Sequence, residues 1–348
     1  MTSPPSTRTA QPDRRTPRKH NNQERQRCAS WRLDANEGVD QPPGDQGRVR
    51  DTPTRSSIPA PNPDPRRLTA RDASVLRDLV LLRLLTYEQI HRLAFPHTDL
   101  SVARRRIRSL ARAGWLHVWE PPSRTGGHGR FAHPTRRTLR DVLPLLADDA
   151  PWQPLIGKML PRSQRRPLTL DAGSIPKWLA HQREVNHVVT SIRSDPMRRI
   201  LWASSWDCPF PSRLGMFVLP QPDYVLVEEI GGNPQLVFGE HDRGSEPPER
   251  FLARKVQLYS ALAAYPDVCA REFGIPTFQV HVSVIDPIRR APIARLRALL
   301  DVARSSDAGA IFRFTLGGWL FASPSQPIWF TTERSPVSDA VAWTEHAA

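Results

Sequence analysis

The spacing of hydrophobic positions changes period several times along the chain, and each change marks an element. From Leu68 onward, Val75, Leu76, Leu79 and Val80 recur at helical spacing behind Thr69, a hydroxyl N-cap with Asp72 three residues on. This predicts a first helix of about four turns. Thr86 caps a second helix, Tyr87 to Ala94, with Ile90 and Leu93 inward. Phe95-Pro96-His97 ends it, because proline cannot continue a helix and restricts the residue before it. Ser101 opens a third helix, Val102 to Ala113, apolar at Val102, Ile107, Leu110 and Ala111, and Gly114 stops it. The period then drops to two. Trp115 to Trp119 reads as a strand, Pro121 to Gly129 as a loop and Phe131 to Pro134 as the returning strand, with a helix from Thr135 to Leu146 packed on that ribbon.

Residues 147–174 are rich in proline, aspartate and arginine with weak periodicity, the pattern of an interdomain linker. A second segment, 175–332, opens with a helix from Ile175 to Arg193 whose Trp178, His181, Val185, Val188, Val189 and Ile192 share one face. Within that stripe His181 reads as a hydrogen-bonded core histidine rather than a ligand, and Glu184 sits at the stripe's edge. Arg199 to Trp206 alternates as a strand. Two apolar runs around Gly231-Gly232-Asn233-Pro234 then form a hairpin. A helix from Glu249 to Ala264, a strand from Thr277 to Ile285, a helix from Ile293 to Ala303 and a strand from Ile311 to Thr315 follow, and the aromatic run Trp319 to Phe330 closes the segment. The predicted class is α/β (α+β), a mixed sheet with helices on its faces, preceded by a helical domain at 67–146.

Residues 1–66 lack apolar periodicity and are expected to stay disordered, a basic tail, and 333–348 reads as a loose C-terminal tail. With 49 Lys and Arg against 35 Asp and Glu, the formal charge is +14 and the sequence pI about 10.9, nearly all of the positive charge being arginine. That balance favours a polyanionic partner, nucleic acid before an acidic membrane surface. Cys28, Cys208 and Cys269 show no paired spacing, so neither a disulfide framework nor a zinc ribbon is indicated and a reducing cytoplasm is expected. No signal peptide is visible, and charges at Arg77, Asp78 and Arg83 interrupt the longest apolar run, so no bilayer span is expected.

Two groups of residues carry candidate chemistry. On the third helix, Arg104, Arg105, Arg106, Arg108 and Arg112 crowd the surface left by the apolar stripe. Three helices and a two-stranded ribbon make the winged form of helix-turn-helix, whose third helix enters the major groove of double-stranded DNA while the ribbon touches the backbone. In the second segment Asp223 opens one hairpin strand, Glu240 and Asp242 close the other, and helical spacing puts Lys255 and Tyr259 on one face. Clustered carboxylates beside a lysine suit a divalent cation, Mg2+, held by Asp223 and Glu240, with Lys255 facing a phosphate and Asp242 joining the metal shell or orienting a water. Arg243, Arg250 and Arg254 lie near enough to be plain ion-pair partners instead.

The order Pro222-Asp223, hairpin, Glu240-His241-Asp242 resembles the restriction-endonuclease-like nucleases, with Asp242 where those enzymes carry a lysine and Lys255 available from the next helix. The chain from Leu68 to Phe330 also resembles the replication-relaxation family of plasmid and mobile-element proteins. That resemblance rests on Leu68-Thr69-Ala70-Arg71-Asp72, Gly114-Trp115-Leu116, Pro222-Asp223, Glu240-His241-Asp242-Arg243-Gly244, Lys255 and Tyr259. It implies a role in plasmid replication and relaxation of supercoiled DNA, with other replication or mobilisation proteins as partners, and makes Asp223, Glu240, Asp242 and Lys255 the positions matching the family's acidic motif. Three readings stay open at this point: a duplex-docking protein, a Mg2+-dependent nickase, and a nuclease-like fold that has lost its chemistry and docks partners. A tyrosine-dependent relaxase is disfavoured, since Tyr87, Tyr224, Tyr259 and Tyr265 have no His-x-His neighbour.

Overall fold

The computed structural model describes residues 68–120, 129–147, 178–205, 213–214, 217–218, 221–285, 291–306, 309–318, 329 and 331. The expected tails, the interdomain linker and the closing aromatic run lie wholly or mostly outside these residues. All described residues belong to one compact unit, Ile58–Ala348.

The helices start where the sequence offers caps. Helix α1, Ala70–Leu82, opens on a reciprocal capping box: the Asp72 N–H donates to Thr69 Oγ1 at 3.2 Å and the Thr69 N–H to Asp72 Oδ2 at 2.7 Å. Strand β1, Leu85–Thr86, leads into α2, Tyr87–Ala94, where Thr86 and Gln89 repeat the device. Helix α3 spans Leu100–Arg112 and is capped by Asp99, whose carboxylate accepts the Ser101 N–H at 2.7 Å. The expected cap at Ser101 therefore lies two residues inside the true start. Strands β2, Leu116–Trp119, and β3, Phe131–Pro134, pair antiparallel, and β1 adds to β3 to give a sheet of order β1-β3-β2. Helix α4, Arg136–Ala147, follows against α1.

Helix α5 runs Leu179–Arg193. Strands β4, Arg199–Ser204, β7, Tyr224–Ile230, β8, Asn233–Asp242, β9, Phe278–Val284, and β10, Phe312–Leu316, form a five-stranded sheet of order β10-β9-β8-β7-β4; β5, Arg213–Leu214, and β6, Phe217–Val218, pair by themselves. The β4-β7 and β7-β8 pairs are antiparallel and the β8-β9 and β9-β10 pairs parallel, the mixed sheet expected. The hairpin turn is tighter than its sequence suggests: Gly231 and Gly232, both at positive φ, make the bend, while Asn233 and Pro234 already pair with Ile230 and Glu229. Helices α6, Pro248–Ala263, α7, Pro266–Phe273, and α8, Pro292–Arg304, complete the described set, α7 being an element the periodicity did not announce. An aromatic cluster of Phe238, Tyr259, Phe273, Phe278 and Phe312 fills the space between α6 and the sheet. Among the described residues no helix is long and apolar enough to cross a membrane.

The helical segment and the sheet share one continuous apolar core, from Val75 and Leu79 through Val185 to Val225 and Phe238. Their seam is polar and saturated. Asn186 donates through Nδ2 to the Leu82 carbonyl at 3.0 Å and to the Leu84 carbonyl, and Ser204 Oγ and the Ser205 N–H both reach the Leu81 carbonyl, at 2.7 and 3.2 Å. Between those carbonyls Arg83 adopts φ 68° and ψ −48°, and the Leu84 N–H donates to Leu82 O at 2.7 Å. This is a γ-turn of the strained, positive-φ kind, with a non-glycine residue at its centre.

Candidate functional site

The end of the β7-β8 hairpin nearest α5 and α6 gathers the acids predicted from sequence, and two short-range constraints put them there. Gly239 faces Tyr224 across the ladder, and a Cβ on Gly239 would lie 2.0 Å from the tyrosine ring, so only glycine lets that ring cover the strand. Just before Tyr224, the Asp223 N–H donates to Gly239 O at 2.8 Å and the Asp223 carboxylate accepts the His241 N–H at 2.7 Å. Asp223 is thereby pinned across the strand end beside Glu240.

The period of two then sorts β8. Glu240 and Asp242 point to the α6 and α8 side, His241 to the α5 side. Both oxygens of buried Glu240 are taken: Oε2 by the Lys255 ammonium and Oε1 by the Tyr259 hydroxyl at 2.7 Å. The predicted helical pairing of Lys255 and Tyr259 thus meets at one carboxylate. Asp242 is also buried, but its carboxylate accepts two bonds from the Arg295 guanidinium of α8, at 2.7 and 3.0 Å, and one from the Gly244 N–H at 3.0 Å. Its acidic group is committed to a structural pair, and the expectation that it joins a metal shell or orients a water finds no support in that geometry. Arg295 was overlooked in the sequence, although a charge four residues before Leu299 on an apolar helix face is a signal that an acid waits for it.

On the other side of the sheet, His181 Nε2 lies 2.9 Å from Asp223 Oδ1, and its ring stands 5.7 Å from that of His241. His241 Nδ1 lies 2.8 Å from Ser283 Oγ, and Glu184 reaches Arg243 at 2.7 Å and His241 at 3.5 Å. His181 is therefore a cleft residue, not the core histidine its apolar neighbours suggested; the spacing of three between His181 and Glu184 on one helix was the available clue. His181, Asp223, His241 and Arg243 line an open cleft of about 340 Å³ whose rim carries Glu246 and, from α6, Arg250, Phe251 and Arg254.

Charges in the cleft hold one another. Burial acts to raise the Asp223 carboxyl, but the His181 hydrogen bond, the Lys255 charge and the His241 N–H outweigh it and hold the group below the usual aspartate value. Burial dominates at Glu240 and pushes its carboxyl up to about 7 against the attraction of Lys255. Burial works to lower the Lys255 ammonium, yet the neighbouring Glu240 and Asp223 charges leave it raised. The Asp223 hydrogen bond raises His181 despite burial.

A resident Mg2+ ion does not fit this donor set as arranged. The cation needs oxygens turned toward a common point, whereas Glu240 spends its two on Lys255 and Tyr259, and Asp223 spends its two on His181 and a backbone N–H. Among the described residues no three His, Cys, Asp or Glu side chains converge on a cation position.

The arginines of α3 divide. Arg106 folds back onto buried Asp72, donating through Nε at 2.6 Å and through a second nitrogen, so it fastens α3 to the cap of α1. Arg104 stands 3.7 Å from Glu88 and is half exposed. Arg105, Arg108 and Arg112 are exposed with no ion-pair partner among the described residues. Beside them on the ribbon, Arg130 pairs with Glu120 at 3.0 Å.

A family model described as replication-relaxation matches residues 76–277, more than half of the chain. The match runs from α1 through the Asp223-Glu240-Lys255 cluster to the residue before β9. No curated protein and no solved structure matches.

Proposed function

Because this chain belongs to the replication-relaxation family, we propose that it docks on duplex DNA in plasmid or mobile-element replication or relaxation, with α3 as a winged-helix recognition helix. The observation that carries this reading is the trio Arg105, Arg108 and Arg112, exposed on one helix whose inner face, Ala103, Ile107 and Leu110, is buried. The β2-β3 ribbon follows α3 directly, where a wing would reach the phosphate backbone. Guanidinium groups suit both phosphates and guanine edges, and the formal charge of +14 supplies long-range attraction. Arg106, spent on Asp72, positions the helix rather than the DNA.

Duplex affinity should fall steeply with salt, because each neutralised phosphate releases counterions with a slope of about −0.9 in log K against log salt. Replacing Arg105, Arg108 and Arg112 together by alanine should flatten that slope by up to about 3. Titration of a labelled duplex at several salt concentrations measures both. No duplex affinity at low salt, or a slope equal in the wild type and the variant, overturns the reading.

A second reading concerns the cleft, where the order Pro222-Asp223, hairpin, Glu240-His241-Asp242 resembles that of restriction-endonuclease-like nucleases. Saturation of Glu240 by Lys255 and Tyr259 favours a docking module over a Mg2+-dependent nickase. Supercoiled plasmid incubated with protein and Mg2+ should keep its topology. Nicking by the wild type that disappears in Asp223→Ala would restore the nickase.

A further inference from the structure

The cleft has a floor and a mouth of different character. At and behind its floor the acids are answered: Asp223 by His181, Glu240 by Lys255, Asp242 by Arg295 and Glu184 by Arg243. At its mouth Arg250 and Arg254 stand one turn apart on α6, both exposed and with no ion-pair partner among the described residues, where the sequence had offered them as partners for the carboxylates. Two guanidinium groups at that spacing present several parallel N–H donors to one tetrahedral anion. The half-buried Phe251 ring lies between them in sequence, with the Lys255 ammonium 4.6 Å from its centroid. Aromatic carbon flanked by arginines is the surface on which a nucleotide rests, base on the ring and phosphate on the cations.

Size selects among nucleic acids. A cleft of about 340 Å³ is on the scale of a single nucleotide, whereas a duplex, whose major groove alone is about 12 Å wide, can only lie across its rim. One phosphate with its sugar and base can enter. We propose that the cleft holds an unpaired DNA strand, with a phosphate on Arg250 and Arg254 and a base against Phe251, and needs no divalent cation to do so. The inference rests on reading the cleft as a docking site, and it names the occupant. It is independent of how α3 is used.

The test uses the full chain with a fluorescent oligothymidylate of about 16 nucleotides and a labelled duplex, both in EDTA. Arg250→Ala/Arg254→Ala should weaken single-strand binding at least about tenfold, through lost phosphate contacts, and leave duplex affinity unchanged. The α3 triple variant should do the reverse. Phe251→Leu, which keeps the apolar packing, should weaken the single strand alone. Circular dichroism of each variant guards against misfolding, to which exposed arginines contribute little. Single-strand affinity equal to wild type in Arg250→Ala/Arg254→Ala overturns the proposal, as does binding that appears only with Mg2+. Parallel loss of duplex affinity in that variant also overturns it, by making the cleft part of the duplex surface. Plasmid nicking that depends on Asp223 would instead remove the docking reading beneath it, whatever the binding results.

Discussion

Glu240 and Asp242 stand two residues apart on one strand, face the same side of the sheet and are both buried, yet they have become different things. Asp242 is gripped by a guanidinium as buried as itself, side-chain exposures being 3% for Arg295 and 1% for Asp242. Glu240 meets an ammonium that is 26% exposed and opens on the cleft, and a tyrosine hydroxyl shares its charge. The first pair is almost wholly buried and works as a rivet between sheet and α8. The second touches solvent through its lysine, and its carboxyl, pushed up to about 7 by burial, can take up a proton near neutrality. An acid that can discharge itself is tolerant of losing its partner; one fully enclosed with a permanent cation is not.

Removing the cations should break the comparison most sharply. Arg295→Met leaves the Asp242 charge buried without a partner and should cost about 3–5 kcal/mol, read as a lowered midpoint in chemical denaturation. Lys255→Met should cost less, about 1–3 kcal/mol, because Glu240 becomes protonated instead of remaining charged. Equal losses would mean that the two acids are equivalent after all. The same contrast is sharpened by pH. The folded Glu240 carboxyl sits at about 7 against an ordinary 4.5, so the folded protein binds that proton more tightly. Its contribution to stability therefore declines as pH rises from 4.5 to about 7 and is level above. Glu240→Gln should remove that decline from a series of denaturation curves; a slope identical to wild type would show that the acid does not titrate there.

The smallest effect lies at the neighbouring His181-Asp223 pair. Since the Asp223 hydrogen bond raises the imidazole, the pair's stabilisation is complete below 6.5 and is lost as pH rises through the folded value. In Asp223→Asn only the Glu184 charge still opposes burial, and the His181 midpoint, followed by NMR, should fall. An unmoved midpoint would mean that the histidine answers to Glu184 instead.

How much of this was written in the chain differs between fold and site. Thr69-Asp72 and Thr86 announced the first two helices because a cap is a local matter, settled within four residues. The limits of α2 followed from Thr86 and Phe95-Pro96 alone. Helix α7 passed unnoticed because its two buried residues, Cys269 and Phe273, make only one turn of apolar pattern. At the site the motif residues Asp223, Glu240 and Lys255 were legible by order, but their partners were not. Nothing local ties Asp242 to an arginine 53 positions later, or turns His181 from the core toward an aspartate 42 positions away. Such pairings are decided by which elements share a sheet face. The arginines misled in the opposite direction: five on α3 looked equivalent, and Arg106 is set apart only by the place of Asp72 on a neighbouring helix.

The γ-turn at Arg83 has a mechanical consequence. Backbone held in so sparsely populated a region stores about 1–3 kcal/mol, and here the tension is clamped by Asn186, whose amide spans the carbonyls on both sides of the kink. Swivelling the helical segment against the sheet would strip those carbonyls of donors in a dry interior, so the joint behaves as a prestressed bracket and not as a hinge.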